Sequence, residues 1–286
     1  MGLFGSVAIF MELHSQLLKQ EKRAGFKEGI IIKKKDKLST QDLLQCEVRK
    51  SNVLIQKSRF DLTLQQQKIL LFLIAQLKPT TKDFQTYTFS IRDFCTICGM
   101  EVDSGRNYKM IKNQIKEIAD KSVWLDLPDR EVLVRLIEKP TLIKESGCVE
   151  IRFDKDMLPF LLQLKSNYTR YELVYILRFG SKYSLRLYEY IKSVHYNELE
   201  KYKQYVPLDD LKRILGAETY STYKDLSRRV LSPAVNEINL YSDKLVSITP
   251  IKQANTVTGI EITIDTKEIS ERSRLGSEAE HFLFGE

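Results

Sequence analysis

One order of elements occurs twice along these 286 residues: a long amphipathic helix, a short capped helix, a basic amphipathic helix and a β-hairpin. In the first copy, Leu64 to Leu77 places Leu64, Ile69, Leu70, Leu73 and Leu77 on one broad apolar face, and Pro79 ends the run. Phe89-Ser90-Ile91-Arg92-Asp93 then opens a second helix, with Ser90 able to cap the amide at position 93 and the Asp93 carboxylate set at the positive helix end. Gly99 closes it. From about Gly105 to Asp120 the 3.6-residue period puts Tyr108, Ile111, Ile115 and Ile118 on one face and Arg106, Lys109, Lys112 and Lys116 on another. Val123 to Leu127 and Glu131 to Glu138 read as a hairpin across Pro128-Asp129, and Cys148 to Phe153 as a further strand after a Glu145-Ser146-Gly147 turn. Trp124, in that hairpin, is expected to anchor the core.

The second copy follows the same grammar. Tyr183 to Tyr196 matches the first long helix, and Val206-Pro207-Leu208-Asp209-Asp210-Leu211 to Gly216 matches the capped one, with Pro at the start, acid in the first turn and a glycine stop. The basic helix is Thr222 to Leu240, in which Leu226, Val230 and Ala234 face inward while Lys224, Arg228 and Arg229 face out. Pro233 must kink or split this helix, because it cannot donate to the carbonyl of Arg229. Leu245 to Thr249 and Gly259 to Ile264 supply the hairpin. Helix, helix, hairpin is winged-helix order, so the expected fold is α+β: two tandem winged-helix domains, each a helix-turn-helix plus a β-hairpin. The expected partition is an extension over 1–45, partly disordered and carrying Lys33, Lys34 and Lys35, a first domain over 46–155, a second over 156–270 and a tail over 271–286. Val48 to Gln56 reads as the strand that opens the first domain.

Composition narrows the chemistry. A net charge of +7, with pI near 9.0, suits a polyanionic partner. The apolar start, Met1 to Met11, is about half the length that spans a bilayer and lacks a basic leader, so no membrane role and a cytoplasmic location are expected. The four cysteines are then reduced thiols. Cys95 and Cys98 form a single C-x-x-C with no second pair to complete a zinc site, and His14, His195 and His281 are scattered. With no Walker-type glycine loop either, no metal, cofactor or catalytic constellation is expected. A basic stripe taken alone is most often a solvated face. Two such stripes at the same place in a repeated pattern instead suggest helices that enter the major groove of double-stranded DNA.

Several stretches carry a family likeness: Lys50-Ser51-Asn52-Val53-Leu54-Ile55, Leu62-Thr63-Leu64-Gln65-Gln66-Gln67-Lys68-Ile69-Leu70, Tyr168-Thr169-Arg170-Tyr171, Ser181-Lys182-Tyr183-Ser184-Leu185-Arg186-Leu187-Tyr188-Glu189 and Leu231-Ser232-Pro233-Ala234-Val235-Asn236-Glu237-Ile238-Asn239. Between about Val48 and Lys267 the chain resembles the replication initiators of iteron-controlled bacterial plasmids. The resemblance implies two winged-helix domains, binding of direct repeats at a plasmid origin by monomers, and a homodimer in equilibrium with them that represses the initiator's own promoter or pairs origins. It also implies recruitment of the host initiator and the replicative helicase machinery rather than catalysis. Carried over by position, Lys224, Arg228 and Arg229 fall on the family's main base-reading helix, and Arg106, Lys109, Lys112 and Lys116 on the DNA-facing helix of the first domain. Ser227 stands where family members can carry another basic residue. The strands over Val132 to Ile143 are the candidate dimer contacts. Two other functions compete: a transcriptional repressor of the same fold, and a rolling-circle nicking enzyme, which needs a histidine cluster this chain lacks.

Overall fold

The computed structural model describes residues 46–58, 61–78, 81–97, 100, 105–127, 129–138 and 140–284. Expectations about the extension over 1–45, Pro79, Cys98, Gly99, Pro128 and the Asp93 side chain lie outside what is described.

Strand β1 (Glu47–Ser51) is followed at once by helix α1 (Asn52–Gln56), so the strand expected over Val48 to Gln56 is half helix. The Ser51 hydroxyl accepts from the Val53 amide at 3.2 Å and nucleates the turn, which lets the adjacent Leu54 and Ile55 both enter the core, as strand alternation could not. Helix α2 (Leu64–Ala75) starts with a capping box between Thr63 and Gln66. Residues Gln66 to Ile74 are all buried, so α2 is enclosed on every side rather than amphipathic. Its one lysine, Lys68, satisfies its charge on the Leu177 carbonyl at 2.7 Å.

Strand β2 (Tyr87–Ser90), helices α3 (Ile91–Ile97) and α4 (Arg106–Ala119), and the hairpin β3 (Ser122–Asp126) and β4 (Glu131–Arg135) form the first helix-turn-helix and its wing. Phe89 and Phe94 meet Phe72 of α2 edge-on at 5.8 and 6.1 Å between ring centroids, which seats the unit on the central helix. Strands β5 (Thr141–Ile143) and β6 (Cys148–Ile151) return to pair with β2 in the order β2-β6-β5. Trp124 is no core anchor. Val123 and Leu125 take the inward positions of β3, so Trp124 and its cross-strand partner Leu133 stand on the outer face, each 50% exposed. With a side-chain period of two, register alone decides which apolar residues are buried.

After a 3₁₀ turn (Lys155–Met157) and α5 (Leu158–Leu161), strand β7 (Tyr168–Glu172) runs antiparallel to β1, with Glu47 opposite Glu172. Helices α6 (Leu173–Leu177) and α7 (Lys182–Val194) follow, and α7 is buried along almost its whole length. Strand β8 (Tyr202–Pro207), helices α8 (Leu208–Leu215), α9 (Tyr223–Leu226) and α10 (Ser232–Tyr241), and strands β9 (Lys244–Gln253) and β10 (Thr256–Thr266) build the second winged helix, with sheet order β8-β10-β9. Helix α8 is punctuated as the sequence predicts, by Pro207 at its cap, Asp209 and Asp210 in its first turn and left-handed Gly216 (φ 65°) at its end. The second wing is longer than its expected strands. Residues 271–284 of the expected tail belong to a helix, α11 (Ile269–Phe284), which packs on α6 and α3 through buried Leu275 and Ala279. Arg178 lies 4.4 Å over the Tyr241 ring and 5.8 Å over Phe282, clasping α11 to α10. No described helix is long and apolar enough to cross a membrane.

Candidate nucleic-acid interface

In the first unit, Ile111, Ile115 and Ile118 bury one face of α4 while Arg106, Lys109, Lys112 and Lys116 are exposed on the other. Lys116 is held by Asp120 one turn on, at 2.6 Å, and the hydrogen bond to that carboxylate raises its pKa. Arg106, Lys109 and Lys112 make no ion pair of this kind among those described, so they are the more available cations of the stripe.

The second unit solves the proline problem in an unusual way. Because Pro233 brings no amide hydrogen, Ser227 to Leu231 widen into a π turn, in which the Ser232 amide donates to Ser227 five residues back. The axis from Tyr223 to Tyr241 therefore continues, and Leu226, Val230 and Ala234 all reach the core as expected. Lys224, Arg228 and Arg229 are exposed, and Ser227 is half-buried beside them.

Sequence reading missed the group that organises these cations. Thr222 caps α9 through the Asp225 amide at 3.2 Å, and its hydroxyl donates to Asp225 Oδ2 at 3.0 Å. Oδ1 of the same carboxylate accepts from Arg228 Nη2 at 3.0 Å and lies 3.8 Å from Arg229 Nε. The hydrogen bond from Thr222, with those from Arg228 and the nearby guanidinium charges, lowers the pKa of Asp225. The signal was present as acid–base spacing of three and four on a helix. All eight candidate residues thus lie on the two second helices, seven as exposed cations and Ser227 as a half-buried neighbour, with Lys116 paired to Asp120 and Arg228 and Arg229 to Asp225.

Each wing also carries exposed basic residues, those of the first set among the carboxylates of Asp126, Asp129 and Glu131. Arg130 and Arg135 are exposed on the first, and Lys252 near the tip of the second. The root of the second wing is fixed by a buried ionic cluster. Lys244, fully buried, places Nζ 3.0 Å from Glu198 Oε1 and 2.8 Å from Thr266 Oγ1, while Lys192 bonds the same Glu198 oxygen and lies 3.0 Å from Asp243 Oδ2. Tyr188 donates to Asp243 at 2.8 Å, and His195 Nε2 donates to the Glu200 carbonyl at 2.8 Å. Burial works against ionising Glu198, but the two ammonium groups outweigh it and hold its pKa at about 2, below the ordinary 4.5. A depressed carboxylate pKa contributes stability above 4.5 that is lost as pH falls towards 2. Glu198→Gln should therefore cost about 1 kcal/mol at pH 7, the carboxylate being partly exposed, and flatten the acid limb in that window. Urea unfolding at pH 7, 4 and 3 checks it; an unchanged difference between wild type and variant across the three would show the ion pairs to be idle.

Among the described residues no group of three or more His, Cys, Asp or Glu side chains is placed to hold a metal ion. Cys95 is buried, and burial raises its thiol pKa, so it packs as a small apolar residue.

Comparison with known proteins agrees with this geometry. The family model described as "Initiator Replication protein, WH1" matches residues 47–192, and that described as "Initiator Rep protein, WH2" matches residues 207–264. The first match runs past the expected partition at residue 156 and takes in β7 and α7, where β1 finds its pairing strand. A "Replication initiation protein" of Escherichia coli is 30% identical over 200 residues, which cover 66% of this chain and 61% of that protein, so the chain spans less than two thirds of its relative. The crystal structure of Pi initiator protein in complex with iteron DNA superposes with a TM-score of 0.65 at 18% identity, covering 79% of this chain and 99% of that one, a likeness of fold. With both winged-helix models matched in order, and more than half of its residues inside the first, the chain belongs to the initiator replication protein family.

Proposed function

We propose that this chain is a sequence-specific double-stranded-DNA-binding initiator of plasmid replication, which engages direct repeats at an origin with both winged-helix units. The observation that carries the reading is the pair of second helices, α4 and the α9–α10 axis, each burying an apolar face and exposing a basic one. A solvated stripe has no reason to recur at the same step of two helix-turn-helix units, whereas a groove-reading helix must be there. The fold neighbour bound to iteron DNA and the family membership support the same partner. In this reading Arg228 and Arg229 supply base contacts, with Lys224 and Ser227 beside them, and Arg106, Lys109, Lys112 and Lys116 hold phosphates, helped by Arg130, Arg135 and Lys252 on the wings. The chain works by binding alone, without metal or cofactor, in the cytoplasm. It recruits the host initiator and helicase machinery, and a homodimer in equilibrium with the monomer represses its own gene.

The test is a titration of a duplex selected by the protein from a random library, repeated across several salt concentrations. Two units engaged together should give log affinity falling with log salt at a slope steeper than about −4. A slope near −1, one or two ion contacts, would overturn two-domain engagement. Nicking of supercoiled origin DNA with a divalent metal would replace this reading by a rolling-circle enzyme. Failure of a plasmid carrying only this gene and its upstream repeats to replicate in any host would leave a repressor.

Asp225 yields a subsidiary prediction. It spends negative charge on the surface offered to DNA, so Asp225→Ala should raise affinity for scrambled duplex by about 3- to 10-fold at low salt while narrowing the margin for the selected sequence. Unchanged binding to scrambled DNA would place Asp225 away from the contact surface.

A further inference from the structure

Arg186 sits at the middle of α7 with its side chain 4% exposed, and its guanidinium reaches backbones in both halves of the molecule. Nε and Nη2 donate to the Ile214 carbonyl at 3.1 and 2.9 Å, while Nη2 also donates to the Ile55 carbonyl at 3.0 Å and lies within reach of the Ser58 carbonyl at 3.5 Å. Nη1 is 3.6 Å from Glu189 Oε2. Ile55 and Ile214 stand in the last turns of α1 and α8, where carbonyls have no partner within the helix and a cation is favoured. A planar fork of five donors can serve both at once; a lysine ammonium cannot span them in one plane.

Each end of this bridge leads to a DNA-reading element. Ser58 pairs with Leu125 of β3, and the Lys57 carbonyl accepts from the Asp126 amide at 3.3 Å, so the segment that carries the Ile55 and Ser58 carbonyls is fastened to the turn end of the first wing's β3. Ile214 lies two residues before the left-handed Gly216, from which the chain passes to Thr222, the cap of α9. Glu189, gripped by Lys50 at 2.7 Å and by the Tyr171 hydroxyl at 2.5 Å, fastens α7 to β1 and β7. The guanidinium therefore cannot follow one half without pulling the other.

We propose that Arg186 is a positioning residue that locks the two helix-turn-helix units in one mutual pose, and so fixes the separation and helical phase of the two base blocks that one molecule reads. The inference rests on the DNA-binding reading above. On B-form DNA an insertion of two base pairs rotates the second block by about 70°, since a turn takes about 10 base pairs. A locked pair cannot track that rotation, whereas a loosely tethered pair can.

The full chain, Arg186→Gln and Arg186→Lys are each used to enrich binders from random duplexes of about four helical turns, and the spacing between the two enriched blocks is read by sequencing. Wild type should select two blocks at a single separation and bind duplexes altered by two base pairs about 30-fold more weakly. Arg186→Gln should select the same blocks at scattered separations, with discrimination below about 5-fold and unchanged affinity for either block alone. Arg186→Lys should fall between them. A folded Arg186→Gln that keeps the single separation overturns the inference and leaves the DNA reading standing. If Arg186→Gln does not fold, Arg186→Lys decides: wild-type spacing discrimination in that variant overturns the lock. A wild type that enriches no block at all overturns both the lock and the DNA reading, a result the variants cannot mimic.

Discussion

Glu189→Gln is expected to be the most destabilising single change in the protein, costing about 3–5 kcal/mol, because it leaves two buried cations without their anion. Lys50 and Arg186 have side chains only 6% and 4% exposed, and Glu189 is 1% exposed between them. Burial alone would raise the pKa of Glu189, yet Lys50 and Arg186 hold it below the ordinary 4.5; the Lys50 pKa is lowered, chiefly by its own desolvation. The cluster is a trade in which charges removed from water are stable only together. Against a typical folding stability of about 5–15 kcal/mol, the loss should lower the urea midpoint severely. Lys50→Met with Glu189→Leu, which removes a cation along with the anion and refills the space, should recover a large part of it. The carboxylate's share of stability is present above pH 4.5 and lost as pH falls through its lower folded value, so wild type and Glu189→Gln should converge in acid. Urea unfolding of the three proteins checks this, and a cost below about 1 kcal/mol for Glu189→Gln would mean that water already reaches the cluster.

On DNA, the largest effects are expected at Arg228 and Arg229. At least one of Arg228→Ala and Arg229→Ala should lose about 1–3 kcal/mol on the selected duplex with little change on a scrambled one, the mark of a base contact. Lys109→Ala and Lys112→Ala should instead weaken both duplexes alike and flatten the salt slope by about one unit. The Asp225 carboxylate sharpens the first expectation. It holds Arg228 in place before DNA arrives, which lowers the ordering cost on binding, so Arg228 is the stronger candidate of the two. Paired titrations of all four variants decide the matter: equal arginine losses on both duplexes with a lysine loss of specificity would exchange the roles of the two helices.

The helix-turn-helix units are legible in the sequence because local rules define them. Apolar spacing on α4, the Pro207 and Gly216 punctuation of α8 and the inward Leu226, Val230 and Ala234 each need only neighbouring residues to be read. Trp124 fails that test because an alternating strand shows two faces, and only packing against distant parts of the chain decides which one is buried. Helices α2 and α7 hide their nature for the opposite reason. Gln66, Lys68, Arg186 and Glu189 look like solvent-facing residues until their partners arrive from distant parts of the chain. The π turn over Ser227 to Leu231 lies between these cases, since Pro233 announces a break but not the wide turn that absorbs it.

The β1–β7 pairing also has a consequence for how the protein is made. Lys50 leaves the ribosome 139 residues before its partner Glu189. At 5–20 residues per second that is a wait of roughly 7 to 28 s. For most of this interval β1 has no strand beside it and α2 has no α7 to cover it, so the nascent chain exposes an open strand edge and the apolar run from Ile69 to Ala75. Synthesis rate and chaperone supply, rather than the stability of the finished molecule, then set how many chains escape aggregation before α7 emerges.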